Sequence, residues 1–189
     1  MHIKLTFMVI AALCSMTLRA QAQPTFWLGA DISGTTELEA RGERLYNAQG
    51  EIRENTALMK EYGMNAVRLR VWVNPRGGWS GKQDVLEMAK RARYYGMAVM
   101  IDFHYSDWWA DPGKQTMPVA WRNLDAAAVS EKLYAFTRDV MQQLKDAGVT
   151  PAEVQVGNEI SNGMMWPLGR VPEWDNLASF IKAGARAVK

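Results

Sequence analysis

The chain has 189 residues, with 22 lysines and arginines against 20 aspartates and glutamates. This near balance excludes the large basic excess that attracts a polyphosphate backbone, so we expect no nucleic-acid partner. The length suits one domain or part of one, and no low-complexity segment or linker-like tract divides the chain.

Residues 1–22 predict a secretory signal peptide. Lys4 precedes an apolar run over residues 5–13, and Ala-Gln-Ala at 20–22 matches a small-residue cleavage site. The run is too short for a membrane span. A lipoprotein is less well supported, because Leu13 rather than a small residue precedes Cys14. Cleavage after Ala22 would leave a neutral exported domain without cysteine, located in the periplasm, at the cell surface or outside the cell.

Four short apolar segments predict strands, at residues 27–32, 65–73, 97–103 and 153–157. The second segment alternates, which predicts Val67, Leu69, Val71 and Val73 on one face and Ala66, Arg68, Arg70 and Trp72 on the other. Apolar residues at helical spacing follow the second, third and fourth segments, namely Val85, Met88, Ala89 and Ala92; Val129, Leu133, Phe136, Val140, Leu144 and Ala147; and Leu177, Phe180, Ile181, Gly184, Ala185 and Val188. Gly63, Gly96 and Gly148 stand just past helical segments, where a left-handed C-terminal cap is expected.

This order predicts four βα units with parallel strands. A complete eight-stranded barrel needs about 250 residues, so we expect an α/β fold in which residues 23–189 form the N-terminal half of a (β/α)8 TIM barrel. A small doubly wound sheet is the alternative. It is disfavoured because GADISGTTELE, rather than a glycine-rich phosphate loop, follows the first strand.

Polar side chains gather at the predicted strand ends, where the active site of a parallel barrel lies. They are Asp31, Arg68, Arg70, Asp102, His104, Asn158 and Glu159. Glu159 could donate a proton to a leaving oxygen, while Asn158 could bind a neighbouring hydroxyl. Inward-facing arginines are costly unless an anion pairs with them, which indicates a charge network around a catalytic carboxylate. Alternatively, Arg68 or Asp102 only supports the barrel interior.

Six of the eight tryptophans lie at strand ends or in the loops that follow, at positions 72, 79, 108, 109, 121 and 166. Some of these would pack under loops, as buried aromatic residues do. Several on one rim would instead form apolar platforms, and the apolar faces of sugar rings stack well on such surfaces. This distribution favours a carbohydrate substrate.

Four blocks carry a family resemblance from about Trp27 to the end of the chain: GADIS, NAVRLRVWVNPRGGW, MIDFHYSDWWADPGKQTMPVAW and VQVGNEISNGMMWPLGR. They resemble the endo-β-1,4-galactanases of glycoside hydrolase family 53. The resemblance implies a retaining endo-acting glycosidase that cleaves β-1,4-galactan side chains of type I arabinogalactan in pectin. It also implies a monomeric full-length protein that needs no cofactor and no catalytic metal.

Residue by residue, the resemblance implies that Glu159 is the general acid/base and that Asn158 contacts the sugar at the cleavage subsite. Arg68 would support the catalytic carboxylates, and four residues would line the substrate cleft, namely Asp31, His104, Asp107 and Trp109. The family nucleophile, a glutamate after the seventh strand, would lie beyond Lys189, so residues 23–189 alone are expected to be inactive. Some bacterial relatives also carry a calcium site in later loops, about which these blocks carry no information.

Three alternatives remain open from the sequence. Asp102-Phe103-His104 is a D-x-H pair of the kind that metal-dependent barrels use, although the mature chain would have one histidine and no cysteine. The aromatic platforms could belong to a non-catalytic or truncated carbohydrate-binding half barrel. A related glycosidase acting on mannan or cellulose would share the same architecture.

Overall fold

A computed structural model describes residues 26–189 of the chain. The predicted signal peptide therefore lies outside the described residues. In chain order the helices and strands are β1 (Gly29–Asp31), α1 (Thr35–Ala40), β2 (Leu45–Tyr46), β3 (Ile52–Arg53), α2 (Asn55–Glu61), β4 (Ala66–Val71), α3 (Lys82–Tyr94), β5 (Ala98–Phe103), α4 (Ala126–Asp146), β6 (Glu153–Val156), β7 (Gly163–Met164), β8 (Gly169–Arg170) and α5 (Trp174–Val188).

The main sheet contains the four predicted strands, in the spatial order β1-β4-β5-β6. All three neighbouring pairs are parallel, and the register aligns Asp31 with Arg68, Arg70 with Asp102, and Asp102 with Gln155. Strands that follow one another in both sequence and space, without a reversal of order, are typical of part of a (β/α)8 barrel. A doubly wound sheet would reverse its strand order, so the structure excludes that alternative.

The two faces of the sheet differ as the alternation in β4 predicts. Val67, Leu69 and Val71 are buried and belong to the apolar core that the helices cover. Ala66, Arg68 and Arg70 alternate with them on the opposite face and are half-buried. In a closed barrel this second face is the interior, so the charged side chains of β4 project inward.

Most of the apolar residues predicted at helical spacing are buried in the structure. All four predicted residues of α3 are buried, as are Val129, Leu133, Val140 and Leu144 of α4. The prediction for α5 is wrong at Ala185, which is exposed, whereas Ala183 and Ala187 are buried. The buried face of this helix continues from Phe180 through Gly184 to Ala187, so Ala185 lies away from the sheet.

The three predicted capping glycines, Gly63, Gly96 and Gly148, have φ of +83°, +64° and +72° and confirm that prediction. Two short antiparallel hairpins, β2–β3 and β7–β8, were not predicted, because strands of two residues carry no readable alternation. Within residues 26–189, no helix has the length and apolarity needed to cross a membrane.

Candidate active site

Arg68 connects the carboxyl ends of the four main strands. Its Nη1 donates a hydrogen bond of 2.7 Å to Oδ2 of Asp31, at the end of β1. Its Nη2 donates to Oδ2 of Asp102 on β5 at 2.6 Å and to Oδ1 of Asn158, just past β6, at 2.8 Å. One guanidinium group therefore brings together four of the residues predicted from the sequence.

Asp102 is the buried anion that pairs with this guanidinium. Its side chain is 0% exposed, and its Oδ2 also lies 2.9 Å from Nε2 of His104. Its Oδ1 has no hydrogen-bond partner among the described residues. A buried carboxylate is costly unless a cation compensates it, so Arg68 stabilises Asp102 while Asp102 orients Arg68.

His104 is fixed by a backbone group. Its Nδ1 accepts a hydrogen bond of 3.1 Å from the N–H of Ala110. A nitrogen that accepts carries no proton, so the proton of the neutral ring is on Nε2, which faces Asp102. Nε2 lies 2.9 Å from Asp102 Oδ2, but the two groups lack the alignment of a hydrogen bond. With a neutral ring, this contact places the N–H dipole of His104 beside the Asp102 carboxylate and is not an ion pair.

This arrangement of His104 gives the D-x-H metal alternative little support. The lone pair on Nδ1 is already used by the backbone, and Nε2 carries the proton. Among residues 26–189, the His, Asp and Glu side chains form no group of three or more that could hold a metal ion. Asp102 and His104 are both buried. The predicted place of His104 in the substrate cleft stays a prediction.

Asp31 is held in its ionised form by its neighbours. Oδ1 accepts from the N–H and the hydroxyl of Ser33, at 3.0 and 2.6 Å, and Oδ2 accepts from Arg68. Burial alone raises the pKa of Asp31, but the hydrogen bonds from Ser33 and Arg68 and the charge of Arg70 together lower it below its ordinary value. Asp31 is therefore an anion at neutral pH.

Arg70 lies on the same face of β4 but packs against aromatic rings. Its Nη1 is 3.5 Å from Oδ1 of Asp31, and its guanidinium carbon lies 4.2 Å from the ring centre of Trp109 and 5.0 Å from that of Trp72. Burial lowers the pKa of Arg70, although arginine stays a cation in this setting. Cation–π contacts thus supplement a weak ion pair.

Asn158 and Glu159 occupy the rim of the site in different ways. Asn158 is buried; its Oδ1 accepts from Arg68 and from Gln155, and its Nδ2 donates a 2.7 Å hydrogen bond to the carbonyl of Ala110. The second N–H of this amide has no partner among the described residues. Glu159 is exposed, and its carboxylate forms no hydrogen bond or ion pair with another described residue. A free carboxyl group at the rim suits a general acid.

The backbone of Glu159 has φ 50° and ψ 46°, in the left-handed region that non-glycine residues rarely adopt. Such strained conformations persist only when surrounding contacts hold them, and they concentrate at functional sites. In this conformation Glu159 is exposed, whereas Asn158 beside it is buried. The local fold therefore presents one residue to solvent and fixes the other below.

Three tryptophans form a cluster beside this edge of the sheet. Trp72 is buried, with its ring centre 4.6 Å from Trp108 and 5.7 Å from Trp109. Trp108 and Trp109 are 52% and 41% exposed, so each has a surface available to a ligand. Trp121 instead packs in the core against Phe136, so it is no platform.

The carboxylate of Asp107 accepts two hydrogen bonds from backbone groups. Its Oδ1 accepts from the N–H of Asn74 at 3.0 Å, and its Oδ2 accepts from the N–H of Val119 at 2.9 Å. The carboxylate thereby joins the loop after β4 to the 3₁₀ turn at Val119–Trp121. Its predicted place in the substrate cleft stays a prediction.

Gln115 is a site residue that the sequence reasoning missed. It is buried in the long loop between β5 and α4, and its side-chain amide contacts the backbone on both sides of Glu159. A glutamine in a loop carries no signal of burial, because the contact joins residues more than 40 positions apart.

Comparison with known proteins identifies the relatives of this chain. Residues 27–189 match the sequence model of the family described as "Glycosyl hydrolase family 53". The arabinogalactan endo-β-1,4-galactanase of Thermothelomyces thermophilus is 41% identical over 161 residues, which are 85% of this chain and 48% of that protein. The galactanase of the same description from Humicola insolens is 40% identical over 164 residues, with the same two shares.

Solved structures agree with the sequence match. A fungal β-1,4-galactanase structure superposes with a TM-score of 0.82 at 38% identity, covering 85% of this chain and 48% of that one. The family 53 catalytic domain of Ignisphaera aggregans gives a TM-score of 0.81 at 37% identity, covering 85% and 47%. The chain thus spans about half the length of the relatives that it matches.

Proposed function

Because the chain belongs to glycosyl hydrolase family 53, we propose that it carries the acid/base part of a retaining endo-β-1,4-galactanase. The substrate is β-1,4-galactan, as in the side chains of type I arabinogalactan in pectin. The observation that carries this proposal is the exposed Glu159, whose carboxylate has no partner within residues 26–189. Its neighbour Asn158 is hydrogen-bonded to Arg68 at the carboxyl ends of the strands.

In a retaining mechanism, two carboxyl groups about 5–5.5 Å apart divide the work. One attacks the anomeric carbon, while the other protonates the oxygen of the departing sugar. In the second step the latter group takes a proton from water, which releases the glycosyl group from the nucleophile. We assign this acid/base role to Glu159.

The remaining residues position the substrate and the acid. The network of Asp31, Arg68 and Asp102 holds Asn158, whose free N–H is available to a sugar hydroxyl next to the reacting bond. Trp109 offers an exposed aromatic surface for a sugar ring beside the same edge. The nucleophile is assigned to a glutamate on a later strand of the complete barrel, beyond Lys189. The full protein would be an exported monomer that needs no cofactor.

The acid/base role is tested by Glu159→Gln in the full-length natural protein. This substitution keeps the shape of the side chain but removes the transferable proton, so galactan hydrolysis should fall roughly 10²–10⁴-fold. Glu153→Gln is the matched control, because Glu153 is also exposed but lies at the opposite end of β6. An unchanged rate of galactan hydrolysis in Glu159→Gln would refute the assignment.

The substrate is tested with three polysaccharides at equal mass. Reducing ends should appear rapidly from β-1,4-galactan and far more slowly from mannan or cellulose. Faster release from mannan or cellulose would favour another glycanase activity. Binding of galactan without any cleavage by the full-length protein would favour the non-catalytic alternative.

A further inference from the structure

Gln115 holds both peptide groups that flank the α-carbon of Glu159. The Nε2 of Gln115 donates hydrogen bonds to the carbonyl oxygen of Asn158 at 2.7 Å and to that of Glu159 at 3.3 Å. It also lies 3.2 Å from the carbonyl oxygen of Asp111 in its own loop. A carbonyl oxygen only accepts hydrogen bonds. The three carbonyl oxygens therefore identify the Gln115 atom that faces Glu159 as the amide nitrogen rather than the amide oxygen.

The position of Gln115 is itself constrained. Its side chain is buried at 1% exposure, and its own carbonyl accepts a 2.8 Å hydrogen bond from the N–H of Trp166. The next residue, Thr116, forms a parallel bridge with Trp166. The loop that carries Gln115 is therefore bonded to Trp166, which follows Glu159 in the sequence.

These contacts bear directly on the direction of the Glu159 side chain. The angles φ and ψ of a residue are the rotations of its two flanking peptide planes about the α-carbon. A single amide bonded to the carbonyl of each plane therefore restrains both angles. Glu159 has the left-handed values of 50° and 46°, which an unrestrained glutamate would leave for the more populated regions.

We infer that Gln115 is a positioning residue that keeps the Glu159 carboxyl group aimed at the leaving oxygen of the substrate. The inference rests on the acid/base role proposed above for Glu159. Gln115 does not touch the reacting atoms; it acts through the backbone of Glu159. Its loss should consequently impair proton donation more than substrate binding.

The first measurement compares substrates that differ in their need for an acid. Gln115→Met keeps the length of the side chain and removes the donor. In the full-length protein, its kcat on galactan should fall about 10- to 100-fold, as small misplacements of catalytic groups do, with KM nearly unchanged. An aryl β-galactoside with a good leaving group needs little protonation, so its bond cleavage should slow by less than about threefold.

The matched control is Gln142→Met, because Gln142 is an exposed glutamine of α4 whose amide donates to Asp146. It should retain the parent rate on both substrates. A Gln115→Met protein that loses both activities equally, or that keeps full galactan activity, overturns the inference. Thermal unfolding establishes that each variant is folded; should Gln115→Met fail to fold, Gln115→Asn, with a shorter amide, is judged by the same comparison.

A double-mutant cycle separates this inference from the proposed function. If Gln115 acts through Glu159, adding Gln115→Met to Glu159→Gln should lower galactan hydrolysis by less than about threefold more. If the two losses multiply while Glu159→Gln alone is impaired, Gln115 has another role and only the positioning inference fails. If Glu159→Gln alone retains the parent rate, the acid/base proposal itself fails.

Discussion

At the scale of single residues, the site depends on one cation shared by several partners. Arg68 is bonded to Asp31, Asp102 and Asn158, and only its two terminal nitrogens are needed for these three contacts. A lysine carries its charge on a single nitrogen, so it could not replace the two coplanar nitrogen donors of this guanidinium group. The same residue therefore supports the interior of the fold and the residue next to Glu159, so the two interpretations left open by the sequence are compatible.

Replacing Arg68 should destabilise the protein as well as inactivate it. Arg68→Met leaves the carboxylate of Asp102, 0% exposed, without its cation, so we expect the free energy of unfolding to fall by about 3 kcal/mol. Arg41→Met is the control, because the Arg41 side chain is 66% exposed and its pairing with Glu37 should contribute less than about 1 kcal/mol. Urea unfolding measures both, and equal losses would contradict the prediction.

Asp31 should make the free energy of unfolding depend on pH in the acidic range. Its pKa is lower in the folded protein than in the unfolded chain, so its ionised form stabilises the fold above the ordinary pKa. That contribution is lost as the pH falls through the folded-state pKa. Between about pH 5 and about pH 2, the parent protein should therefore lose stability more steeply than Asp31→Asn. Parallel curves of unfolding free energy against pH would show that Asp31 is not responsible.

At the scale of elements, the contact of α5 with the sheet depends on the absence of a side chain at Gly184. A Cβ atom there would lie 2.4 Å from Cγ1 of Val156 on β6 and 3.0 Å from the hydroxyl of Tyr105. Tyr105 is buried and shares a hydrogen bond with Thr137 of α4, so it has little room to move. Gly184 thus sets the distance between α5 and the strand that leads to Glu159.

Gly184→Ala should therefore be destabilising despite the higher helix propensity of alanine. The propensity gain is about 1 kcal/mol, whereas forcing an extra methyl into a packed core costs about 1–3 kcal/mol and here requires β6 or Tyr105 to shift. We expect a lower midpoint in thermal unfolding. Ala185→Ser, which adds one atom at the exposed neighbouring position, should change stability by less than about 0.5 kcal/mol. A raised midpoint in Gly184→Ala would contradict this packing argument.

At the scale of the whole molecule, the described sheet is open. Within residues 26–189, β1 and β6 are the outer strands of the main sheet, with one main-sheet neighbour each. The inner face near the start of the strands is lined mainly by small or apolar side chains, including Trp27, Ala66, Ala98 and Met100, together with the charged Glu153. Open strand edges beside an apolar face favour association with another chain or segment.

Isolated residues 23–189 should therefore self-associate and lack galactanase activity. The open edges and the inner face provide the attractive surface, and the proposed nucleophile would be missing. Size-exclusion chromatography gives the association state, and a reducing-sugar assay on galactan gives the activity. The full-length protein is the control and should elute as a monomer. A monomeric, fully active 23–189 polypeptide would refute both the association and the location of the nucleophile.

The sequence by itself determined the repeating βα order, the inward face of β4 and the residues at the strand ends. Those features depend on local periodicity and on the general rule that parallel strands end at one edge. The family blocks added the expected roles of Glu159 and Asn158, and Glu159→Gln tests the first of these. Boundaries shifted by a residue or two, because strand ends are set by pairing with neighbours rather than by composition.

Only the tertiary structure decided how these residues are connected. That Arg68 joins Asp31 to Asn158, that Asp107 bonds backbone groups of two loops, and that Gln115 reaches Glu159 all depend on contacts between distant segments. Trp121 and Trp108 are both loop tryptophans, yet one is core and the other exposed. Such differences follow from packing. Burial and hydrogen-bond geometry are properties of the assembled fold, and at these loop positions they leave no periodic pattern in the sequence.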